Sequence, residues 1–274
     1  MKSQRLFRKT AIALAMLLAF GWLRSPVESK LTDHFVETGA LTEVSTSQLS
    51  SAVGQSTVLA VLGGLRPLVA IYLTLHAFDA WSFREWDTVE RDYRIITTLM
   101  PEDIDSWKTG AWHMAYNAAA SALYDAPTVP DSVKKKNSRD WVYKGIEFME
   151  KGIEQNPNSA VLHQELADIY RQQLDEPCLA AKHYKLSMEG DRPKSFVARF
   201  YGYFLARCPG REKEAYDHLM ELYHQGQKQR LPTLISRIKE LEETLEIPAA
   251  NRIPEIDPDE EILRRYPHAK PALP

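Results

Sequence analysis

Apolar residues recur at three- and four-residue spacing through most of the chain between residues 66 and 246. That spacing lays them along one face of an α-helix. No stretch alternates with a period of two over the length of a strand. The pattern predicts helices over 66–83, 85–99, 103–123, 138–155, 159–173, 177–190, 194–207, 211–226 and 231–246. In 211–226, for example, Ala215, Leu219, Leu222 and Tyr223 share one side, while Lys213, Asp217 and Glu221 lie elsewhere. Breakers sort these helices into four hairpins: 66–99 before Pro101, 103–155 before Pro157, 159–190 before Pro193, and 194–226. The last helix carries Leu234, Ile238, Leu241 and Leu245 on one stripe among Lys and Glu. It reads as a cap, apolar on one face and polar on the other.

Within the third hairpin the residue types are specific. Leu166-Ala167 and Tyr170 follow Pro157, then come Ala180, Tyr184 and Ser187, with Pro193 behind them. A small residue at Ala167 lets a neighbouring helix lie close, and Leu166 and Tyr170 fill the seam. This stretch resembles a tetratricopeptide repeat, a helix–turn–helix of about 34 residues. The flanking hairpins resemble it more loosely. Pro101, Trp107 and Ala111 fit, but Gly110 stands where a leucine is usual. Gly145, Met149 and Gly152 suit the second helix of that repeat, and Gly202, Ala215 and Leu219 suit the fourth hairpin. The first hairpin is assigned by position more than by motif. The block Trp107, Trp112, Tyr116, Asn117 is also similar to uncharacterised membrane-anchored bacterial repeat proteins, a likeness that brings no activity with it.

The resemblance implies an all-α fold, an α-solenoid of TPR-like hairpins over 61–247, and a role in binding other proteins. In such proteins the first helix of each pair lines a groove. By position, that surface comprises Lys108, Trp112, Tyr116, Gln164, Asp168, Arg171, Arg199, Tyr203 and Arg207. Its cations point to an acidic or C-terminal peptide segment as ligand, because guanidinium forks match carboxylates. Ordinary exposed polar residues on helices would look the same, since a one-residue register error turns a helix by about 100°. Asn117, an amide inside an apolar helix, is expected to bridge neighbouring backbone groups.

Outside the repeats the chain changes character. Lys2, Arg5, Arg8 and Lys9 precede an apolar run over residues 10–23, the pattern of an export or anchor signal. The run would be ~21 Å long as a helix, against a bilayer core of about 30 Å. It is short for a span, yet Arg8, Lys9 and Arg24 could snorkel to the head groups. A retained anchor (1–24) is favoured over a cleaved signal, with the rest of the chain across the inner membrane, in the periplasm. Residues 25–60 are polar and rich in Ser and Thr, a linker. Residues 58–75 are apolar but broken by Gly63-Gly64 and Arg66-Pro67. An arginine is costly in lipid, so a soluble helix starting near Pro67 is the better reading. Between the second pair of helices, Pro127, Pro130 and Lys134-Lys135-Lys136 read as an inserted loop with a solvated tip. The tail, 248–274, is proline-rich and reads as extended.

Bulk properties narrow the rest. The net charge of −3 excludes a general nucleic-acid binder. Two cysteines are present, Cys178 and Cys208. They could pair in an oxidising compartment, but two unpaired, partly buried thiols are favoured. Signals for chemistry are missing: no phosphate loop, no Cys-x-x-Cys, no His-Glu-x-x-His. His163 with Glu165, and His218 with His224, have spacings that do not converge on a helix. His183 and Asp79 have no obvious partners, and Glu242-Glu243 and Glu260-Glu261 look solvated. No cofactor, metal or catalytic residue is expected. The sequence therefore favours a membrane-anchored scaffold for protein partners in the cell envelope. The rivals are an enzyme acting on envelope polymer, built on a helical toroid, and a purely structural spacer.

Overall fold

A computed structural model describes residues 64–125 and 127–254 of the protein. The expected anchor at 1–24, the linker at 25–60 and the tail beyond residue 254 lie outside them. The described residues are helical with no strand among them, so the fold is all-α. They form two compact units, divided between Pro157 and Asn158.

The first unit begins with α1 (Arg66–Ser82) and α2 (Trp86–Leu99). Pro67 opens α1, where its missing N–H costs nothing. Ala70, Leu73, Ala77 and Ala80 form the buried side of α1, and Val89, Tyr93, Ile96 and Leu99 that of α2. Next comes α3, a continuous rod of three parts: Ile104–Trp112, a π turn at His113–Ala118, and Ala119–Tyr124. It packs against α4 (Asp131–Gln155). The close approach depends on Gly145: a Cβ there would stand 2.7 Å from the Ala115 Cβ and 2.9 Å from the Ala115 nitrogen. At Gly110 the volume that a leucine would fill is taken by the Phe148 ring, whose Cε1 lies 2.7 Å from a notional Cβ. The carbonyl of Pro101 closes the unit, accepting from Trp107 Nε1 (2.8 Å) and Asn156 Nδ2 (2.8 Å).

The second unit holds α5 (Ala160–Ile169), which runs into a π turn at Tyr170–Leu174, and α6 (Pro177–Glu189). Ser159 caps α5, its Oγ accepting from the Leu162 N–H (3.3 Å). The chain reverses at Asp175 in a left-handed conformation, φ 52°. Leu166, Ala167, Ala180 and Tyr184 are wholly buried, and Ser187 donates to the carbonyl of Ala160 (2.7 Å). Burial of each large side chain in this seam is worth about 1.5–3 kcal/mol. Then come α7 (Val197–Leu205), α8 (Glu212–His224) and α9 (Pro232–Thr244). Leu234, Ile238 and Leu241 are the buried stripe of α9.

Four sequence expectations are corrected. The long loop before α4 shrinks, because α4 starts at Asp131 and takes in Lys134-Lys135-Lys136. Lysines form helix readily without any apolar stripe to announce it. The chain does not leave the fold at residue 247: a 3₁₀ turn at Ala249–Asn251 leads to Ile253, which is buried. Its N–H donates to Glu242 Oε1 (2.7 Å), so Glu242 is buried and bonded, not solvated. Last, Cys178 and Cys208 form a disulfide, with Cα atoms 5.3 Å apart. Antiparallel packing of α6 on α7 brings the start of one beside the end of the other.

Candidate binding cleft

Helix α7 has two faces, with Tyr203 buried on the second of them. Val197, Tyr201, Gly202 and Leu205 are buried, with Tyr201 donating to Glu214 of α8 (2.9 Å). Burial and that carboxylate push the Tyr201 phenol up to about 12. The opposite side carries Arg199 with Tyr203 and Phe200 with Phe204, each pair four residues apart and so side by side on the helix, and Arg207 follows in the turn beyond it. With Arg171 from the π turn of α5 and Arg237 of α9, they line a cleft of about 390 Å³.

The four guanidinium groups are not equivalent. Arg171 is fixed from within: Nε and Nη2 both donate to Asp168 Oδ1 (3.1 and 2.7 Å). The same carboxylate oxygen accepts from Tyr184 (2.7 Å), and Gln164 donates to the other (3.2 Å). Burial first, then Asp168, pushes the Tyr184 phenol far up. Arg171 also lies over the rings of Phe200 and Phe204, at 5.4 and 5.9 Å. Arg207 pairs with Asp175 (2.8 Å) and Arg237 with Glu240 (2.5 Å). Arg199 instead donates to an uncharged amide, Gln229 Oε1 (2.6 Å).

Tyr203 stands between Arg199 and Arg237. Burial raises its phenol, and the two cations lower it. Its hydroxyl is buried and has no hydrogen-bond partner, and neither does Arg237 Nε. An unmet buried donor costs about 1–3 kcal/mol. The cleft is thus rich in donors, poor in acceptors and walled by two phenyl rings. Chemically it suits an oxyanion attached to an apolar group.

Of the nine residues that the repeat resemblance assigns to a groove, Arg171, Arg199, Tyr203 and Arg207 meet in this cleft. Gln164 and Asp168 sit behind it in the network that pins α5 to α6. Lys108, Trp112 and Tyr116 belong to the first unit. Lys108 pairs with Asp105 (2.6 Å), Trp112 is half exposed and Tyr116 half buried. Asn117 bonds the ring of His113 (3.0 Å), not the backbone. The π turn there adds a residue to one turn and rotates the helix beyond it, so register carried over from a regular helix slips.

Phe200, Phe204 and Arg237 join the cleft without any motif to announce them. The two phenylalanines each neighbour a groove residue on α7, so a wider stripe would include them. Arg237 borders the apolar stripe of α9, three residues after Leu234 and four before Leu241, and nothing local distinguishes it. A histidine pair is equally silent in the sequence: His163 and His183 bond through their Nδ1 atoms (3.2 Å), with His183 stacked on Tyr170. Burial, then His163 and Lys182, lowers His183 to about 4, and burial lowers His163 as well. The buried carboxylates each have a donor: Asp92 with His76 (2.5 Å), and Glu242 with Ile253. Among the described residues no three His, Cys, Asp or Glu side chains gather as a metal site. Comparison with protein-family models, with curated proteins and with solved structures returns no match, so a functional reading rests on the cleft itself.

Proposed function

We propose that this chain is a membrane-anchored, TPR-like scaffold of the bacterial cell envelope, without catalysis, which holds partner proteins by an acidic or C-terminal peptide segment. The observation that carries the reading is the α7 cleft, where the unmet Tyr203 hydroxyl sits between two arginines beside a phenyl wall. A carboxylate would accept from these donors, with an arginine offering two parallel bonds. Phe200 and Phe204 would take the apolar part of the segment. The disulfide supports an oxidising compartment outside the cytoplasm. A pure spacer has no need of such anchors, which ranks the binding reading above it.

The test is photocrosslinking in the cell, with a benzophenone side chain replacing Phe204 in the full chain. The expected adduct maps to a partner peptide containing Asp, Glu or a free C-terminus. Arg199→Glu combined with Arg237→Glu should abolish it while leaving the protein folded. Adducts to peptides without a carboxylate, or adducts indifferent to the charge reversal, would refute the reading.

A further inference from the structure

The first unit has an unusual outer surface. On α1, Leu68, Ile71, Tyr72, Leu75 and Phe78 are each 57–65% exposed, flanked by Leu65 and Phe83. A helix apolar on every side is normally buried on every side. Here the inner side is covered by α2, and the outer side faces out. The polar side chains interspersed on α1 are mostly satisfied internally. Thr74 donates to the carbonyl of Ala70 (2.9 Å), Ser82 to that of Asp79 (2.7 Å), and His76 bonds Asp92 of α2 (2.5 Å). From Leu68 to Leu75 the outer face is thus an apolar strip, and beyond Leu75 the exposed carboxylate of Asp79 joins the same face.

We propose that this face rests on a lipid bilayer, lying in its interfacial zone. Three observations favour lipid over another protein. First, a protein interface is rimmed by polar groups that fix register, and from Leu68 to Leu75 this face offers only the Tyr72 hydroxyl, the charges of Asp79 and Arg84 lying toward one end, whereas a fluid acyl layer requires no register. Second, exposed Tyr72 is of the type that gathers at membrane–water interfaces, and exposed Phe78 and Phe83 suit the apolar face of a helix lying in that zone. Third is position in the chain. The 63 residues ahead of Gly64 carry four cations before the apolar run at 10–23, then a second apolar stretch at 58–62 just before α1. The part of the sequence suited to reach a bilayer thus lies on the same side of the chain as the strip, joined to it through the polar stretch after residue 24. The helix lies on the membrane and does not cross it. It spans roughly 25 Å, one side packs on α2, and no described helix is long and apolar enough to span. The inference is independent of what the cleft binds.

Site-directed spin labelling tests it. Both native cysteines are in the disulfide, so one introduced cysteine is the sole free thiol. The full chain carrying Leu75→Cys, Phe78→Cys or, as reference, Glu150→Cys on exposed α4 is labelled and reconstituted into phosphatidylethanolamine–phosphatidylglycerol vesicles. Two positions guard against one variant failing to fold. Labels at 75 and 78 should be relaxed strongly by oxygen and lose relaxation by a water-soluble nickel complex, with the reverse at 150. Nickel access at 75 and 78 equal to that at 150 overturns the proposal. So does shielding from both reagents, which means protein covers the strip. Dipolar broadening that vanishes on dilution with unlabelled chain would identify that protein as a second copy.

Discussion

The two units use the same local element, a pair of antiparallel helices, and finish it with different emphasis. In the first, helices meet through glycines and rings, as at Gly145 on Ala115, with a few buried polar links, Trp107 on the Pro101 carbonyl and Asp92 with His76, and others at the rim, as in Lys144 with Glu90 (2.6 Å). Its helix α1 shows hydrocarbon. In the second, the seam holds polar pins: Tyr184 and Arg171 on Asp168, Ser187 on the Ala160 carbonyl, and the disulfide. Its outward face on α7 shows guanidinium groups. Pinning from inside frees the outer positions of α7 from any duty to hold the fold. A unit closed by apolar packing has less polar chemistry to spare.

That contrast can be broken experimentally. The largest effect is expected from Cys178→Ser with Cys208→Ser, which opens a bridge spanning 30 residues. The loss should be about 3–4 kcal/mol, seen by hydrogen exchange across α6 and α7, with the first unit unchanged. Gly145→Val should cost about 3 kcal/mol through overpacking on Ala115, confined to α3 and α4. Equal loss of protection in both units would deny that they are separate. Asp168→Ala strands Tyr184 and Arg171 and should cost about 2 kcal/mol by urea unfolding.

Acid probes both units more gently. His183 and His113 are each lowered to about 4 by burial, from an ordinary 6.5. The folded protein therefore favours the neutral rings, while the unfolded chain takes up protons below 6.5. Stability is full above that pH and falls as pH drops toward about 4, by roughly 1–2 kcal/mol per ring. The second unit should lose more, because His163 is lowered too. A melting temperature flat between pH 7 and pH 4 would contradict this. The smallest effect belongs to Arg199→Gln and Arg237→Gln. Each should change stability by less than about 0.5 kcal/mol, since neither helps close the helix seam.

Most helices are legible because burial of one face imposes a three-and-four spacing that survives in Leu166, Tyr170, Leu219 or Ile238. The start of α4 is not, because Lys134-Lys135-Lys136 are helical by propensity and bury no apolar side chain to record it. The π turns are silent as well: a one-residue excess within an apolar helix leaves the composition unchanged. In the cleft, the α7 members share a single helical face. Arg237, the Asp168 network and the histidine pair depend on residues about 13–40 positions apart, and contacts at that range leave no local trace.

The disulfide has one more consequence. A chain with only two thiols admits a single internal pairing. A simple dithiol oxidant is then sufficient for maturation, and a shuffling isomerase finds no scrambled form to repair.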